Sequence, residues 1–384
     1  MTDLFVEPAD VLLFRDGRSF SAANSDTLAR GVFPPRPTVF YGAIRSALMS
    51  RNDADFDQPT FGLSGPVADV VGTKTDAGTL SIVRFALARR NGGAVERLYP
   101  VPSDILVRKG DRDRDAPRAE RRYTLLRPRE APGRTNGPDD VQLPWTDDDA
   151  LNAVYTAASG YLPEPAFREV VSGNETAMCN AIDAESLFRT EPRTSVALDG
   201  ETGTGRSGQL FTVAFTRTDS EVGFLLRLED DAGAVPPKGW LRLGGEARAA
   251  HFTVVDASRT ADGDLISTIQ KEGHFKLVLT TPAVFEQGWR PDVVDSDGRG
   301  TLAGCRVQLR GAAVEGYEPL GGWDMAAGRP KTTRRAVPAG SVYFFDLEDP
   351  SDAPQLAEKG FILPLASSDE DRKQGLGLAA LGTY

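Results

Sequence analysis

From Thr38 onward, Val39, Phe40, Ala43, Ile44, Ala47 and Leu48 recur at the three- and four-residue intervals of one apolar helix face. Tyr41 and Arg45, four positions apart, share the opposite face. The segment before them, Phe33-Pro34-Pro35-Arg36-Pro37, cannot start a helix, so the chain enters extended and Thr38 supplies a capping oxygen. Elsewhere the pattern is that of strands. Asp10–Phe20 is a short apolar run ending in Arg15-Asp16-Gly17-Arg18, which predicts a buried strand carrying two arginines at its end. Leu80–Ala88 and Val95–Val101 flank Asn91-Gly92-Gly93, a hairpin signal. Strand, helix and paired strands open a βαββαβ unit, the split βαβ of ferredoxin-like folds. Gly208–Phe215 and Val222–Leu228 read as strands, and the chain returns to a strand by Val255 after the break at Leu243-Gly244-Gly245-Glu246. The polar stretch Asp256–Asp264 predicts a boundary between a first domain, residues 1–260, and a second, residues 261–384. Within the second, Phe275–Leu279, Cys305–Leu309 and Ser341–Phe345 read as strands between Gly- and Pro-rich loops.

Charge changes this picture more than bulk composition does. With 40% hydrophobic and 26% charged residues the chain reads as globular, and its net charge of −11 argues against a nucleic-acid partner over the whole surface. Yet basic residues cluster. Arg108–Arg134 holds Lys109, Arg112, Arg114, Arg118, Arg121, Arg122, Arg127 and Arg129, interleaved with Asp111, Asp113, Asp115, Glu120 and Glu130. A second cluster runs Arg329, Lys331, Arg334, Arg335. The segment Arg108–Pro144 is expected to be an insertion or long loop, ordered in part, and is either one wall of a binding groove or a solvated loop. Asp147–Ser159 is expected to be a helix with an acidic start. No apolar run is long enough to span a membrane, and the opening Met1–Glu7 has neither a basic n-region nor an apolar h-region, so a cytoplasmic protein without a membrane partner is expected. Cys179 and Cys305 suggest neither a disulfide framework nor a zinc site.

Candidate chemistry narrows by elimination. Gly200–Ser207 nearly matches a phosphate-binding loop, but it has Arg206 where lysine is required, and a strand rather than a helix follows. ATP binding is therefore rejected. Gly375 and Gly377 sit in a terminal glycine loop able to bring backbone N–H groups to a phosphate, or to serve as a packing turn. His251 and His274 lack metal-ligand spacing and read as structural. No catalytic set, no metal site and no cofactor is expected. An extended lead-in, a helix N-terminus, Arg36, Tyr41 and Arg45 together favour an anion.

Several motifs stand in one order across nearly the whole chain: Phe14–Arg18, Pro34–Thr38 with Tyr41–Arg45, Gly208–Phe211, Leu243–Glu246, Gly321-Gly322-Trp323-Asp324, Arg335–Tyr343 and the terminal glycine loop. Together they resemble the family of the third Cmr protein, from the type III-B CRISPR effector, a RAMP-superfamily assembly. The resemblance implies an α+β fold of two ferredoxin-like, RRM-related domains with insertions. It implies a non-catalytic subunit gripping the 5′ tag of the CRISPR RNA (crRNA), beside the large polymerase-palm subunit and the first backbone subunit. The expected RNA-binding residues are Arg15, Arg18, Arg36, Thr38, Tyr41, Arg45, Arg193, Arg206, Lys331, Arg334, Arg335, Gly375 and Gly377. Arg193–Leu198 and Gln209–Val213, with a flexible glycine-rich tip between them, are expected to project as a hairpin, as in RAMP relatives that lay a thumb across RNA. The alternative class is a metal-independent endoribonuclease that trims CRISPR precursors.

Overall fold

The computed structural model describes residues 1–15, 28–29, 31–129, 141–146, 154–229, 233–257, 263–324, 328–358, 360–366 and 368–384. Two curled antiparallel sheets carry the architecture. The first has seven strands in the order Lys238–Leu243, Arg248–Val255, Thr2–Pro8, Val222–Glu229, Ser81–Asn91, Ala94–Pro100 and Tyr161–Pro163. Val222–Glu229 runs antiparallel to both Thr2–Pro8 and Ser81–Asn91, so those two are parallel to each other with one strand between them. That is the split βαβ arrangement, with helix Pro37–Arg51 as its connection. The hairpin turns where it was expected, with Asn91 opposite Ala94 and Gly92 and Gly93 at φ 58° and 91°, a conformation open to glycine.

The second sheet has six strands in the order Arg299–Leu302, Cys305–Ala313, Val342–Leu347, His274–Leu279, Leu378–Gly382 and Ile362–Pro364. Alternation along its strands buries both faces. Val278, Val342, Phe344 and Ala380 join the core of the first sheet, whereas Phe275, Leu277, Tyr343, Phe345 and Leu381 pack with helices Gly263–Glu272 and Ala353–Glu358. The two halves therefore share one core. Lys276 Nζ also reaches Asp104 Oδ2 at 2.5 Å, both side chains fully buried.

Several expectations fail for identifiable reasons. Residues Val11–Phe14 are buried but form no strand. Their backbone is held by single bridges, Leu12 to Thr216 and Arg15 to Gly31, while Arg18 lies outside the described residues. The charged segment is strand in part: Ile105–Arg108, Tyr123–Arg129, Leu143–Thr146 and Tyr155–Ala157 form a four-stranded sheet, and residues 130–140 lie outside the described residues. Tyr155–Ala157 replaces the end of the expected helix, and residues 147–153 of that helix lie outside the described residues. Among the described residues no helix is long and apolar enough to cross a membrane.

Candidate nucleic-acid interface

The proline lead-in docks Phe33 against Phe188 and Phe224, with ring centroids 4.3 and 5.9 Å apart, and delivers Pro37 as the first helical residue. Arg36, extended at φ −76° and ψ 149°, is the N-cap, and no side chain caps the helix. Thr38 therefore lies inside the helix rather than capping it. Proline at the first helical position brings the required φ and has no N–H to satisfy, so the start moves two residues upstream.

The expected anion-binding face is turned inward. Arg36 is buried; its Nε donates to Glu318 Oε1 at 3.2 Å and its Nη2 to the Pro319 carbonyl. Tyr41 is only 4% exposed, its hydroxyl donates to the Ala77 carbonyl at 2.9 Å, and burial pushes its pKa up. Arg45 donates to the Val71 carbonyl through Nε and Nη2, at 3.1 and 2.7 Å. Arg36, Tyr41 and Arg45 thus pin the helix to its surroundings. Burial without a charged or carbonyl partner would be costly for each, and each has one.

What Arg36 holds is an arm. Glu318–Leu320 pairs with Arg334–Ala336, Trp323 lies opposite Pro330, and Lys331 N–H donates to the Gly322 carbonyl at 2.9 Å. The base of the arm is fixed twice, by Arg36 and by Arg334, whose guanidinium donates to both oxygens of buried Asp371 at 2.8 and 2.7 Å. Hydrogen bonding to that carboxylate raises the Arg334 pKa. Beyond this base the arm opens to solvent. Arg329, Lys331 and Arg335 are exposed, with no ion-pair partner among the described residues. Tyr317 and Trp323 are 61% and 57% exposed, and the Arg335 Cζ lies 4.9 Å from the centre of the Tyr317 ring. Three exposed cations, of which Arg329 stands opposite Asp324 in the strand pair, and two exposed aromatics on one short arm can contact phosphates and stack bases. Tyr317 was not among the expected RNA-binding residues, and Trp323 entered only as part of the motif Gly321-Gly322-Trp323-Asp324. Their signal was an aromatic on each side of a glycine pair, just ahead of a basic cluster.

The N–H groups of the two glycines in the terminal loop are engaged within the protein. The Gly375 N–H donates to the Arg372 carbonyl at 3.0 Å and the Gly377 N–H to the Pro282 carbonyl at 2.8 Å. A Cβ on Gly375 would come within 2.9 Å of Ile82 and 3.1 Å of Pro37; one on Gly377 would lie 2.6 Å from the Ala366 nitrogen. Gly375 lets the second half approach the start of helix Pro37–Arg51, Gly377 lets the chain pass close to Ala366 within the second half, and both N–H donors are already used.

The expected hairpin is present and longer, Phe188–Leu198 against Gly205–Thr218. Its tip is a tight turn rather than a flexible span, because Asp199 Oδ1 accepts the N–H groups of Glu201 and Thr202 at 3.1 and 3.0 Å. Those bonds also lower the Asp199 pKa. Arg193 is taken by Glu191 at 2.6 Å, and Glu191 is shared with Arg217 at 2.5 Å. Hydrogen bonds from Arg217 and then Arg193 pull the Glu191 pKa down to about 2. The Arg206 backbone lies in the second strand, and its side chain is outside the described residues. Toward the tip, Leu198 and Leu210 are each 62% exposed. Arg15 is exposed beside Gly31.

Four arginines of the first basic cluster are ion-paired. Arg114 and Arg122 converge on Asp111 at 2.8 and 3.2 Å, Arg118 meets Asp183, and Arg121 meets Asp115 at 3.2 Å. Hydrogen bonds from Arg122 above all hold the Asp111 carboxyl well below the usual carboxylate range.

Two curled antiparallel sheets, a split βαβ opening and a projecting hairpin define a mixed α+β protein of the ferredoxin-like type. The family model of the CRISPR-associated protein Cas_Cmr3 matches residues 4–384, and the chain belongs to that family, whose members are subunits of type III-B CRISPR effectors. The chain is similar in fold, at 12% identity and a TM-score of 0.50, to a chain of the cryo-EM structure of the type III-B Cmr-beta bound to cognate target RNA; the match covers 89% of this chain and 86% of that one. A chain of the same assembly bound to cognate target RNA and AMPPnP, in state 1, gives 13% identity, a TM-score of 0.49 and the same coverages. No curated protein matches the chain in sequence.

Proposed function

We propose that this subunit holds the unpaired 5′ tag of the crRNA, and that the arm of Tyr317, Trp323, Arg329, Lys331 and Arg335 is the principal grip. The observation that carries this reading is the arm itself, where cations with no ion-pair partner among the described residues and exposed aromatics stand together on a chain of net charge −11. A single-stranded tag offers phosphates and splayed bases, which call for that combination. Arg15 and Arg18 extend the contact, while Arg36, Arg45, Tyr41 and Arg334 act as supports holding the arm and the helix in position. The chain divides in this reading into residues 1–260 and 261–384. It joins the large polymerase-palm subunit to the first backbone subunit, and the exposed leucines of the hairpin meet the latter.

The subunit is non-catalytic in this account. Its histidines are engaged elsewhere: His274 Nε2 lies 2.7 Å from a Tyr384 oxygen, and the His251 ring stands at 69° to Trp240 with centroids 5.2 Å apart. The test is Lys331→Ala with Arg335→Ala, assayed for binding of tag RNA across a salt series. Two lost phosphate contacts lower the logarithmic salt slope by about 1.4, from about 0.7 for each contact on a single strand. Unchanged affinity and slope in the folded double variant overturn the assignment.

A further inference from the structure

The outermost strand of the first sheet, Lys238–Leu243, alternates strictly. Leu241 and Leu243 are buried at 2% and 0% exposure in the first core, while Lys238, Trp240 and Arg242 point the other way and are exposed. Trp240 is the most open tryptophan among the described residues, at 64%. Residues two apart on a strand stand about 6.5–7 Å from each other, so the indole is flanked at that distance by one cation on each side. Neither Lys238 nor Arg242 has an ion-pair partner among the described residues, whereas the neighbouring Arg248 is paired with Glu246 and Arg90 with Glu7. The indole is also oriented. Trp240 lies directly across the strand pair from His251, and the two rings meet edge to face.

We infer that this strand is a second contact for single-stranded RNA, separate from the arm, in which one base stacks on Trp240 while Lys238 and Arg242 meet the phosphates on either side. Base stacking on an aromatic tolerates any sequence, and the alternating cations supply the backbone attraction. A protein segment covering the indole would call for apolar neighbours, but the tryptophan is framed by cations. The strand also leads toward the arginine-bearing end of the first segment: just beyond it the Gly245 N–H donates to the Leu13 carbonyl at 2.7 Å, two residues before exposed Arg15.

The experiment uses the full-length protein and a short oligouridylate, read by binding anisotropy and by quenching of tryptophan fluorescence. Trp240→Leu is expected to weaken binding roughly 5- to 150-fold, the equivalent of losing one base stack worth about 1–3 kcal/mol. Trp240→Phe restores most of that loss. Lys238→Ala with Arg242→Ala lowers the logarithmic salt slope by about 1.4. Lys331→Ala with Arg335→Ala leaves the Trp240-dependent quenching in place, so a failure at the arm and a failure here are read separately. The inference is overturned if the Lys238/Arg242 variant keeps the wild-type slope, or if Trp240→Leu binds oligouridylate as wild type does. It is equally overturned if Trp240→Leu impairs only assembly with neighbouring subunits, which would assign the indole to a protein contact.

Discussion

Replacing Lys276 with methionine probes the joint between the two halves. Lys276 lies in the central region of the second sheet and Asp104 in the segment that follows the first, and the two side chains meet at 2.5 Å with no solvent exposure. The second carboxylate oxygen, Asp104 Oδ1, has no hydrogen-bond partner among the described residues. Methionine keeps the length and apolar packing of the lysine stem but removes the charge, leaving a buried carboxylate without a counterion. Breaking a buried pair from one side costs about 3–5 kcal/mol, a large share of the roughly 5–15 kcal/mol that keeps a typical domain folded. Removing both charges, as Lys276→Met with Asp104→Leu, replaces the pair by apolar contacts and is expected to recover most of that loss. A double-mutant cycle then returns a coupling of several kcal/mol. Urea unfolding, with hydrogen exchange followed in strand His274–Leu279, measures both quantities. A single variant within about 1 kcal/mol of wild type, or a double variant no better than the single one, refutes the reasoning.

Three further outcomes follow from particular contacts. Gly377→Ala places a Cβ 2.6 Å from the Ala366 nitrogen at φ +66°, so a loss of about 1–3 kcal/mol is expected, visible as a lower Tm. Glu191 has a folded-state pKa of about 2, below its ordinary value of 4.5, so its contribution to the hairpin base is complete above pH 4.5 and is lost as pH falls through about 2. Hydrogen-exchange protection around Arg193 and Arg217, corrected for intrinsic rate, should hold from pH 7 to 5 and fall below 4, and Glu191→Gln should flatten that acid-dependent fall. Leu198→Ser with Leu210→Ser should leave the fold intact and weaken assembly with the first backbone subunit, as read by co-purification; undiminished assembly counts against the hairpin contact.

Local patterns were legible wherever the partner lay close in sequence. The Gly92-Gly93 hairpin, the apolar face of helix Pro37–Arg51 and three of the six strands of the second sheet, His274–Leu279, Cys305–Ala313 and Val342–Leu347, follow from periodicity and turn chemistry alone, whereas Leu378–Gly382, expected as part of a glycine loop, is a strand. Ion-pair partners were not legible, because they come from distant segments. Arg36 meets Glu318, 282 residues away, and nothing local marks that carboxylate as its acceptor. The same holds for Arg334 and Asp371. In the first basic cluster the interleaved aspartates were visible, but whether they neutralised the arginines depended on a sheet formed by strands up to 50 residues apart in sequence. Lys238, Trp240 and Arg242 carried a readable signal, a period-two alternation against buried Leu241 and Leu243, whose meaning appears only once the strand is seen to lie at a sheet edge.

Crosslinking tests the central claim most directly. The effector is reconstituted with crRNA bearing a photoreactive group at its 5′ end, and the crosslinked peptides of this subunit are identified by mass spectrometry. The account predicts that the 5′ end is captured within Tyr317–Arg335, with Tyr317 and Trp323 as the preferred sites. Capture confined to another subunit, or to the segment between Arg108 and Arg129, contradicts it.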